Sequence, residues 1–159
     1  MPRMPRVERP DALLYYERYG SGPAVVFAHG AGGNTLIWYQ QVPAFARDHT
    51  VLVFDHRGFG RSTAAPGALH ARAFPDDLRA ILDHAGVARA ALVCQSMGGW
   101  TGLPSAIAFP DRISALVLSG TPGGVFTPLV AGAFERIAGI ARSEGIRAGP
   151  ALAPDFPER

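Results

Sequence analysis

Short apolar segments that each lead into a glycine-containing loop are the feature that most constrains the fold. Three of them, 24–28, 50–54 and 90–94, are continuously apolar or β-branched. Unbroken segments of this length are typical of strands in a parallel sheet that is covered on both faces. A fourth segment, 113–119, leads into Gly120 in the same way. The sequence therefore predicts an α/β fold with a mostly parallel sheet.

Helical patterns separate these strands, as crossover connections in such a sheet require. The most regular pattern lies at 74–85, where apolar residues recur at helical spacing, Pro75 stands in the first turn and Gly86 follows the end. The other predicted helices are 35–47, the segment that runs from the Gln95–Gly99 turn to about Phe109, and 129–146. With a half-exposed strand over 13–19, this order predicts a three-layer sandwich of helices around the sheet.

Charge and cysteine content exclude several functional classes. Fifteen arginines, with no lysine, are nearly balanced by thirteen acidic residues, and the net charge of +2 argues against a nucleic-acid partner. No apolar run approaches the ~18 residues of a membrane span, so we expect no membrane association. The single cysteine, Cys94, excludes an internal disulfide. We expect no metal and no cofactor, and, because no signal-like apolar segment follows the N-terminal arginines, a cytoplasmic protein.

The segment Gln95–Gly99 has the composition of a turn that presents a catalytic serine. A nucleophilic hydroxyl is held clear of the backbone on a sharp strand-to-helix turn, which needs small neighbours. Ser96 directly follows a predicted strand, and Gly98 and Gly99 leave room around it. Cys94 departs from the usual pattern, in which glycine stands two residues before the nucleophile. The alternative interpretation is that Ser96 only caps the following helix.

The glycine-rich loop 29–33 meets a second requirement of acyl-transfer chemistry, which is a pair of N–H donors for the developing oxyanion. Its small residues allow the chain to turn inward and present the N–H of Ala31, while Met97 supplies the other donor. We interpret His29 as an organiser of this loop, because the oxyanion is bound by backbone N–H groups.

Taken in order, these motifs resemble those of the α/β-hydrolase superfamily, and within it the small bacterial esterases, lactonases and C–C bond hydrolases. The matching segments are His29–Gly33, Asp55–Ser62, Gln95–Gly99 and Pro110–Arg112. The resemblance implies a small-molecule substrate with an ester, lactone or related carbonyl group, cleaved through an acyl-enzyme. It implies that Ser96 is the nucleophile and that Asp55–Ser62 is a structural loop beside the site. The oxyanion and pocket residues that it implies are Ala31, Met97, His29, Gly30, Gly98 and Trp100.

The catalytic acid and histidine of that family have no counterpart in this sequence. In the family both follow the nucleophile, whereas all five histidines here precede Ser96. They are His29, His49, His56, His70 and His84. A serine without a base is a poor nucleophile, and we interpret His56 as structural. We therefore expect this chain alone to be inactive or weakly active.

The domain assignment follows from the same resemblance. Residues 1–125 correspond to the N-terminal part of the α/β-hydrolase core domain, and 126–159 to the start of a cap or lid region or to a frayed tail. We expect the fold to be incomplete at the C-terminus. The strand over 113–119 would then leave an apolar edge unpaired, and we expect poor solubility unless a homo-oligomer or a partner chain covers it.

Three alternatives to an active hydrolase stay open at this point. The chain could be a non-catalytic protein of the same fold that binds a small ligand, or a truncated and inactive fragment. A dinucleotide-binding domain is the third, since Gly30, Gly32 and Asp55 partly match its fingerprint, although Thr35 stands where the third glycine belongs.

Four other residues have structural interpretations. We expect Asp55 and Arg57 to hold their loop by hydrogen bonds and an ion pair, Trp38 to pack in the core, and Cys94 to be a buried small residue without thiol reactivity.

Overall fold

The computed structural model describes residues 5–125 and 127–143. Within these residues one seven-stranded sheet has the order β1-β2-β4-β3-β6-β7, with β5 paired to β2. The strands are β1 (Arg6–Arg9), β2 (Ala12–Tyr19), β3 (Ala24–Ala28), β4 (Thr50–Phe54), β5 (Thr63–Ala64), β6 (Ala90–Gln95) and β7 (Ile113–Ser119). The α-helices are α1 (Gln41–Phe45), α2 (Phe74–His84), α3 (Gly99–Ala108) and α4 (Pro128–Ser143).

The sheet is mixed, with a parallel centre and an antiparallel edge. Strands β3, β4, β6 and β7 pair in parallel, whereas β1, β2 and β5 join by antiparallel pairs. Ala28, the last residue of β3, lies opposite Phe54 of β4 and Cys94 of β6. The loops that follow these three strands therefore meet beyond the carboxyl ends of the strands, where ligand sites of α/β proteins form.

Helices cover both faces of the sheet, so the predicted three-layer α/β architecture is confirmed. On one face, apolar side chains of the strands pack against Leu78, Ile81 and Leu82 of α2. On the other face, Phe27 and its neighbours pack against Trp38. Trp38 is thus a core residue, as its sequence context predicted.

The single helix predicted over 35–47 is wrong. A 3₁₀ turn spans Thr35–Trp38, and the short α1 follows it. The Asn34 side chain accepts a hydrogen bond from the Leu36 N–H at 2.9 Å, which favours a tight first turn. Pro43 is accommodated because it lies in the first turn of α1, where no intrahelical N–H bond is lost.

Other boundaries agree more closely with the sequence patterns. Helix α2 matches the prediction within a residue, and α3 continues through Pro104 without ending there. Helix α4 covers most of the predicted segment 129–146, and the rest of that segment lies outside the described residues. The short strands β1 and β5 were not predicted. None of the described helices is long and apolar enough to cross a membrane.

Candidate active site

Ser96 occupies a strained backbone position at the turn between β6 and α3. Its φ angle is +50°. Among the described residues, Ser96 is the one non-glycine residue with a positive φ. Such a conformation costs a residue with a side chain of the order of 1–3 kcal/mol, and it persists only where the surroundings impose it. The structure thus gives Ser96 the sharp strand-to-helix turn that a presented hydroxyl needs. Its role as nucleophile stays a prediction.

Backbone crowding explains why small residues surround this turn. A Cβ atom on Gly98 would collide with the carbonyl oxygen of Ala28, at the end of β3. A Cβ atom on Gly30 would collide with the Gln95 side chain and lie 3.0 Å from Ser96 Cβ. The end of β3 and the loop after it therefore lie close to the serine turn, and a side chain at Gly98 would force the turn away from β3.

The departure at Cys94 is compensated by a glycine on the facing helix. Cys94 is completely buried, and a Cβ atom on Gly102 of α3 would collide with its sulfur and lie 2.9 Å from Leu116 Cδ1. The absence of a side chain at Gly102 therefore makes room for the thiol. Burial raises the pKa of that thiol to about 12, so it is unreactive at neutral pH. The interpretation of Cys94 as a buried small residue is confirmed.

His29 and His56 lie together beneath the loop after β3, and both are at most 2% exposed. His29 Nε2 accepts the backbone N–H of His56 at 3.0 Å, and His29 Nδ1 donates to the carbonyl of Gly30 at 2.7 Å. His56 also contacts Thr101 of α3, with 2.7 Å between Nε2 and Oγ1. Burial lowers the pKa of both imidazoles, and for His56 the proximity of His29 lowers it further. Both rings are consequently neutral at neutral pH.

The loop after β4 is held by its charged residues, as the sequence predicted. The Asp55 carboxylate accepts the backbone N–H of Thr35 at 2.6 Å and that of Arg61 at 2.7 Å. Arg57, 1% exposed, makes a bidentate ion pair with Asp77 of α2 at 2.6 and 2.7 Å. Neither charge is available to a ligand, and both fix this loop beside the serine turn.

The predicted oxyanion and pocket residues lie on the same two segments. Met97 is buried in a small cluster with Phe59 and Phe74, and the partly buried Trp100 packs against it. Ala31 is exposed at the tip of the loop after β3. The assignment of the Ala31 and Met97 N–H groups as oxyanion donors stays a prediction, as does a pocket role for Trp100.

Neither buried imidazole is positioned as a base for Ser96. Within residues 5–125 and 127–143, no hydrogen bond joins a histidine or a carboxylate to the Ser96 hydroxyl, and the ring nitrogens of His29 and His56 are engaged elsewhere. The same part of the chain contains no group of three or more His, Cys, Asp or Glu residues that could hold a metal ion.

The geometry also argues against the dinucleotide-binding alternative. Pyrophosphate is bound at the N-terminus of a full helix that begins at the glycine-rich loop. Here the loop leads into the 3₁₀ turn Thr35–Trp38 instead. The carboxylate that would receive a ribose hydroxyl belongs to Asp55, which already accepts two backbone N–H groups.

Sequence reasoning missed Thr101 and Gly102. Thr101 contributes to the site only through His56, 45 positions away, and Gly102 only through Cys94 on the neighbouring strand β6. No local pattern distinguishes such a threonine or glycine within a helix. The unusual Cys94 was the one available signal, because it called for space on a neighbouring element.

Comparison with known proteins gives consistent matches. "Putative carbamate hydrolase RutD" of Azorhizobium caulinodans is 36% identical over 115 residues, which are 72% of this chain and 43% of that protein. "3-oxoadipate enol-lactonase 2" of Acinetobacter baylyi is 31% identical over 138 residues, 86% of this chain and 51% of that protein. The crystal structure of a hydrolase from Pseudomonas aeruginosa PA01 matches with a TM-score of 0.73 and 32% identity, covering 89% of this chain and 54% of that one.

The chain therefore spans about half the length of the relatives it matches. The family model described as "alpha/beta hydrolase fold" matches residues 23–143, which include the loop after β3, the loop after β4 and the serine turn. Together with the mixed sheet and its flanking helices, this match shows that the chain belongs to the α/β-hydrolase fold family.

Proposed function

We propose that this chain carries the nucleophile of a serine hydrolase that cleaves esters, lactones or related carbonyl compounds. The observation that carries the proposal is the backbone of Ser96, whose φ is positive in a turn that lies close to the end of β3 and to the loop that follows it. A serine that only capped a helix would need no such strain, because cap residues take ordinary extended angles.

In the proposed reaction, Ser96 Oγ attacks the substrate carbonyl carbon and forms an acyl-enzyme. The negative charge on the carbonyl oxygen is stabilised by the N–H groups of Ala31 and Met97, and one such donor is worth roughly 2.7–4 kcal/mol in a measured case. A base takes the hydroxyl proton and returns it to the leaving group. Water then cleaves the acyl-enzyme, which releases the acid and restores the serine.

We propose that the base and its orienting acid correspond to the part of the longer relatives that this chain does not match. This inference is supported by the engagement of His29 and His56 with other groups and by the greater length of the relatives. The names of those relatives, a carbamate hydrolase and an enol-lactonase, favour a small carbonyl substrate. We include a cytoplasmic location in the proposal, with no nucleic-acid or membrane partner.

A protein that binds a small ligand without converting it is the second candidate. It is favoured by the finding that no described histidine reaches Ser96. Under this alternative the strained turn would be a feature of the fold without a catalytic role. Substitution of Ser96 would then leave ligand binding intact.

The deciding experiment is reaction of the chain with a short p-nitrophenyl ester. We expect slow release of p-nitrophenolate and an acyl group on the peptide that contains Ser96, detected by mass spectrometry. Ser96→Ala should lose the adduct, whereas Ser114→Ala, which removes an exposed hydroxyl from β7, should keep it. Equal rates without an adduct in all three proteins would contradict the nucleophile assignment for this chain and favour the binding protein.

A further inference from the structure

His56 connects three elements that converge on the serine turn. It follows β4, its backbone N–H and its Nδ1 both approach Nε2 of His29 at the end of β3, and its Nε2 approaches Thr101 Oγ1 in the first turn of α3. All three side chains are at most 2% exposed. Their hydrogen bonds are therefore sheltered from competition with water.

The contacts determine where the protons of the two imidazoles lie. His29 Nε2 accepts the backbone N–H of His56, so it carries no proton, and Nδ1 is the nitrogen that donates to Gly30. His56 Nδ1 lies 3.2 Å from the same unprotonated nitrogen, and two acceptors would repel each other there. His56 Nδ1 consequently carries the proton, and its Nε2 accepts the hydroxyl of Thr101 at 2.7 Å.

These assignments give a chain of hydrogen bonds with one direction. The Thr101 hydroxyl donates to His56, His56 donates to His29, and His29 donates to the carbonyl of Gly30. One end lies on the helix that follows Ser96. The other end lies one residue before Ala31. These hydrogen bonds thus connect α3, the helix that follows Ser96, with the loop that carries the second proposed oxyanion donor.

We propose that His56 is a positioning residue. Through its hydrogen bonds to Thr101 and His29, it fixes the position of the loop after β3 relative to the Ser96 turn. This inference rests on the proposed function and assigns a role in it to a side chain that does not touch substrate. The loop and the turn lie close together, since a Cβ atom added to Gly30 would come within 3.0 Å of Ser96 Cβ. A small displacement of either segment would misalign the donors, because oxyanion stabilisation depends on distances of 2.7–3.1 Å.

The surroundings of His56 argue for this role over simple packing. The ring lies 4.7 Å from that of Phe54 and 4.8 Å from that of Phe74, so a phenylalanine would suit the same apolar contacts. Burying an imidazole there costs solvation free energy that an apolar side chain would not. The polar ring adds directional bonds to two neighbouring elements, which an apolar ring cannot make.

The test substitutes Thr101 and observes the opposite end of the hydrogen-bond chain. Thr101→Val removes the hydroxyl and keeps the shape, Thr101→Ser restores a hydroxyl, and Ser105→Ala is the matched control. Ser105 is buried on the same helix, and its hydroxyl has no hydrogen-bond partner within the described part of the chain. The readouts are the ¹⁵N shifts of both imidazoles, the amide ¹⁵N shift of Ala31, and kcat and KM for the p-nitrophenyl ester.

We expect the wild-type spectra to show both imidazoles neutral and protonated at Nδ1. Thr101→Val should move the His56 Nε2 and Ala31 amide resonances and lower kcat about tenfold at unchanged KM, while Thr101→Ser and Ser105→Ala should resemble the wild type. An Ala31 resonance that stays in place in a folded Thr101→Val protein would overturn the inference. If the wild type forms no adduct at Ser96, the proposed function fails, and the resonances alone still decide whether the hydrogen-bond chain couples the two segments.

Discussion

At the scale of single residues, Ser96 combines a hydroxyl side chain with an unfavourable backbone conformation. Its φ of +50° suits glycine, and the side chain is retained at the expense of stability. Strain that is concentrated at one polar residue is characteristic of functional sites. The cost of this backbone strain can be measured by comparing substitutions of Ser96 that keep or remove the Cβ atom.

Ser96→Gly should raise the free energy of unfolding by about 1 kcal/mol, because glycine adopts a positive φ without a Cβ clash. Ser96→Ala keeps the Cβ atom and should leave the stability close to that of the wild type. Neither variant should form the acyl adduct. Urea denaturation of the three proteins checks this, and a glycine variant less stable than the alanine variant would show that the turn is not strained.

Residue roles were predictable only where a local pattern carried them. The serine turn and the glycine-rich loop could be predicted because their small residues are adjacent in sequence. The partners of His56 could not, since Thr101 lies 45 positions away and is an unremarkable helix residue until the sheet brings it close.

At the scale of elements, the contact between β6 and α3 depends on complementary sizes at two positions. Gly102 leaves space that the Cys94 sulfur fills, and this allows the helix to lie close to the strand. The cost of changing one residue should therefore depend on the other.

Gly102→Ala alone should destabilise the chain by roughly 1–3 kcal/mol, because the added methyl group overpacks against Cys94 and Leu116. In a Cys94→Gly background the same substitution should cost about 1 kcal/mol less, since the sulfur is gone. Denaturation of all four proteins gives the coupling free energy, and additive effects would contradict the proposed contact. Gly139→Ala, in α4 with nothing within 4 Å of its Cβ position, is the control that should not destabilise.

Elements were predicted best where one apolar periodicity sufficed. Helix α2 and the parallel strands have such patterns, and their boundaries agree within a residue or two. The prediction of one helix over 35–47 failed at its start, where the Asn34 side chain accepts the Leu36 N–H and the Asp55 carboxylate accepts the Thr35 N–H. β1 and β5 are too short and polar to stand out, and they form by pairing with β2.

At the scale of the whole molecule, the β7 side of the sheet leaves apolar surface exposed. Val117 is 53% and Leu118 39% exposed, and no described strand pairs with the outer edge of β7. Strand β7 contains no charged residue that would discourage edge-to-edge pairing. A second copy or a partner chain on this edge remains our proposal for how the surface is covered.

We expect the isolated chain to self-associate through β7, and Val117→Lys to increase the monomer fraction by placing a charge on the edge strand. Sedimentation velocity over a concentration series measures this. Leu36→Lys, which introduces the same charge at a 63% exposed site away from β7, should leave association unchanged. A wild-type chain that is monomeric throughout the series would refute the expectation.

Acid should destabilise the molecule through His29 and His56, whose pKa values burial holds below the ordinary 6.5. Above pH 6.5 both rings are neutral in the folded and unfolded chain. Below it the unfolded chain binds protons that the folded rings exclude, so the free energy of unfolding should fall by up to about 1.4 kcal/mol per pH unit for each imidazole. Urea denaturation between about pH 7 and pH 5 checks this.

His56→Gln should reduce the slope of the free energy of unfolding against pH. A slope unaltered from the wild type would contradict the assignment. His70→Gln, which changes an exposed histidine, is the control.

The burial of Cys94 gives the protein an internal reporter of its own. The thiol lies two residues before Ser96, is completely inaccessible and has a pKa of about 12. A thiol reagent can modify it only when the contact between β6 and α3 opens. Since this is the single cysteine of the chain, the alkylation rate of the unmodified protein measures how often the contact between β6 and α3 opens, without any label or substitution.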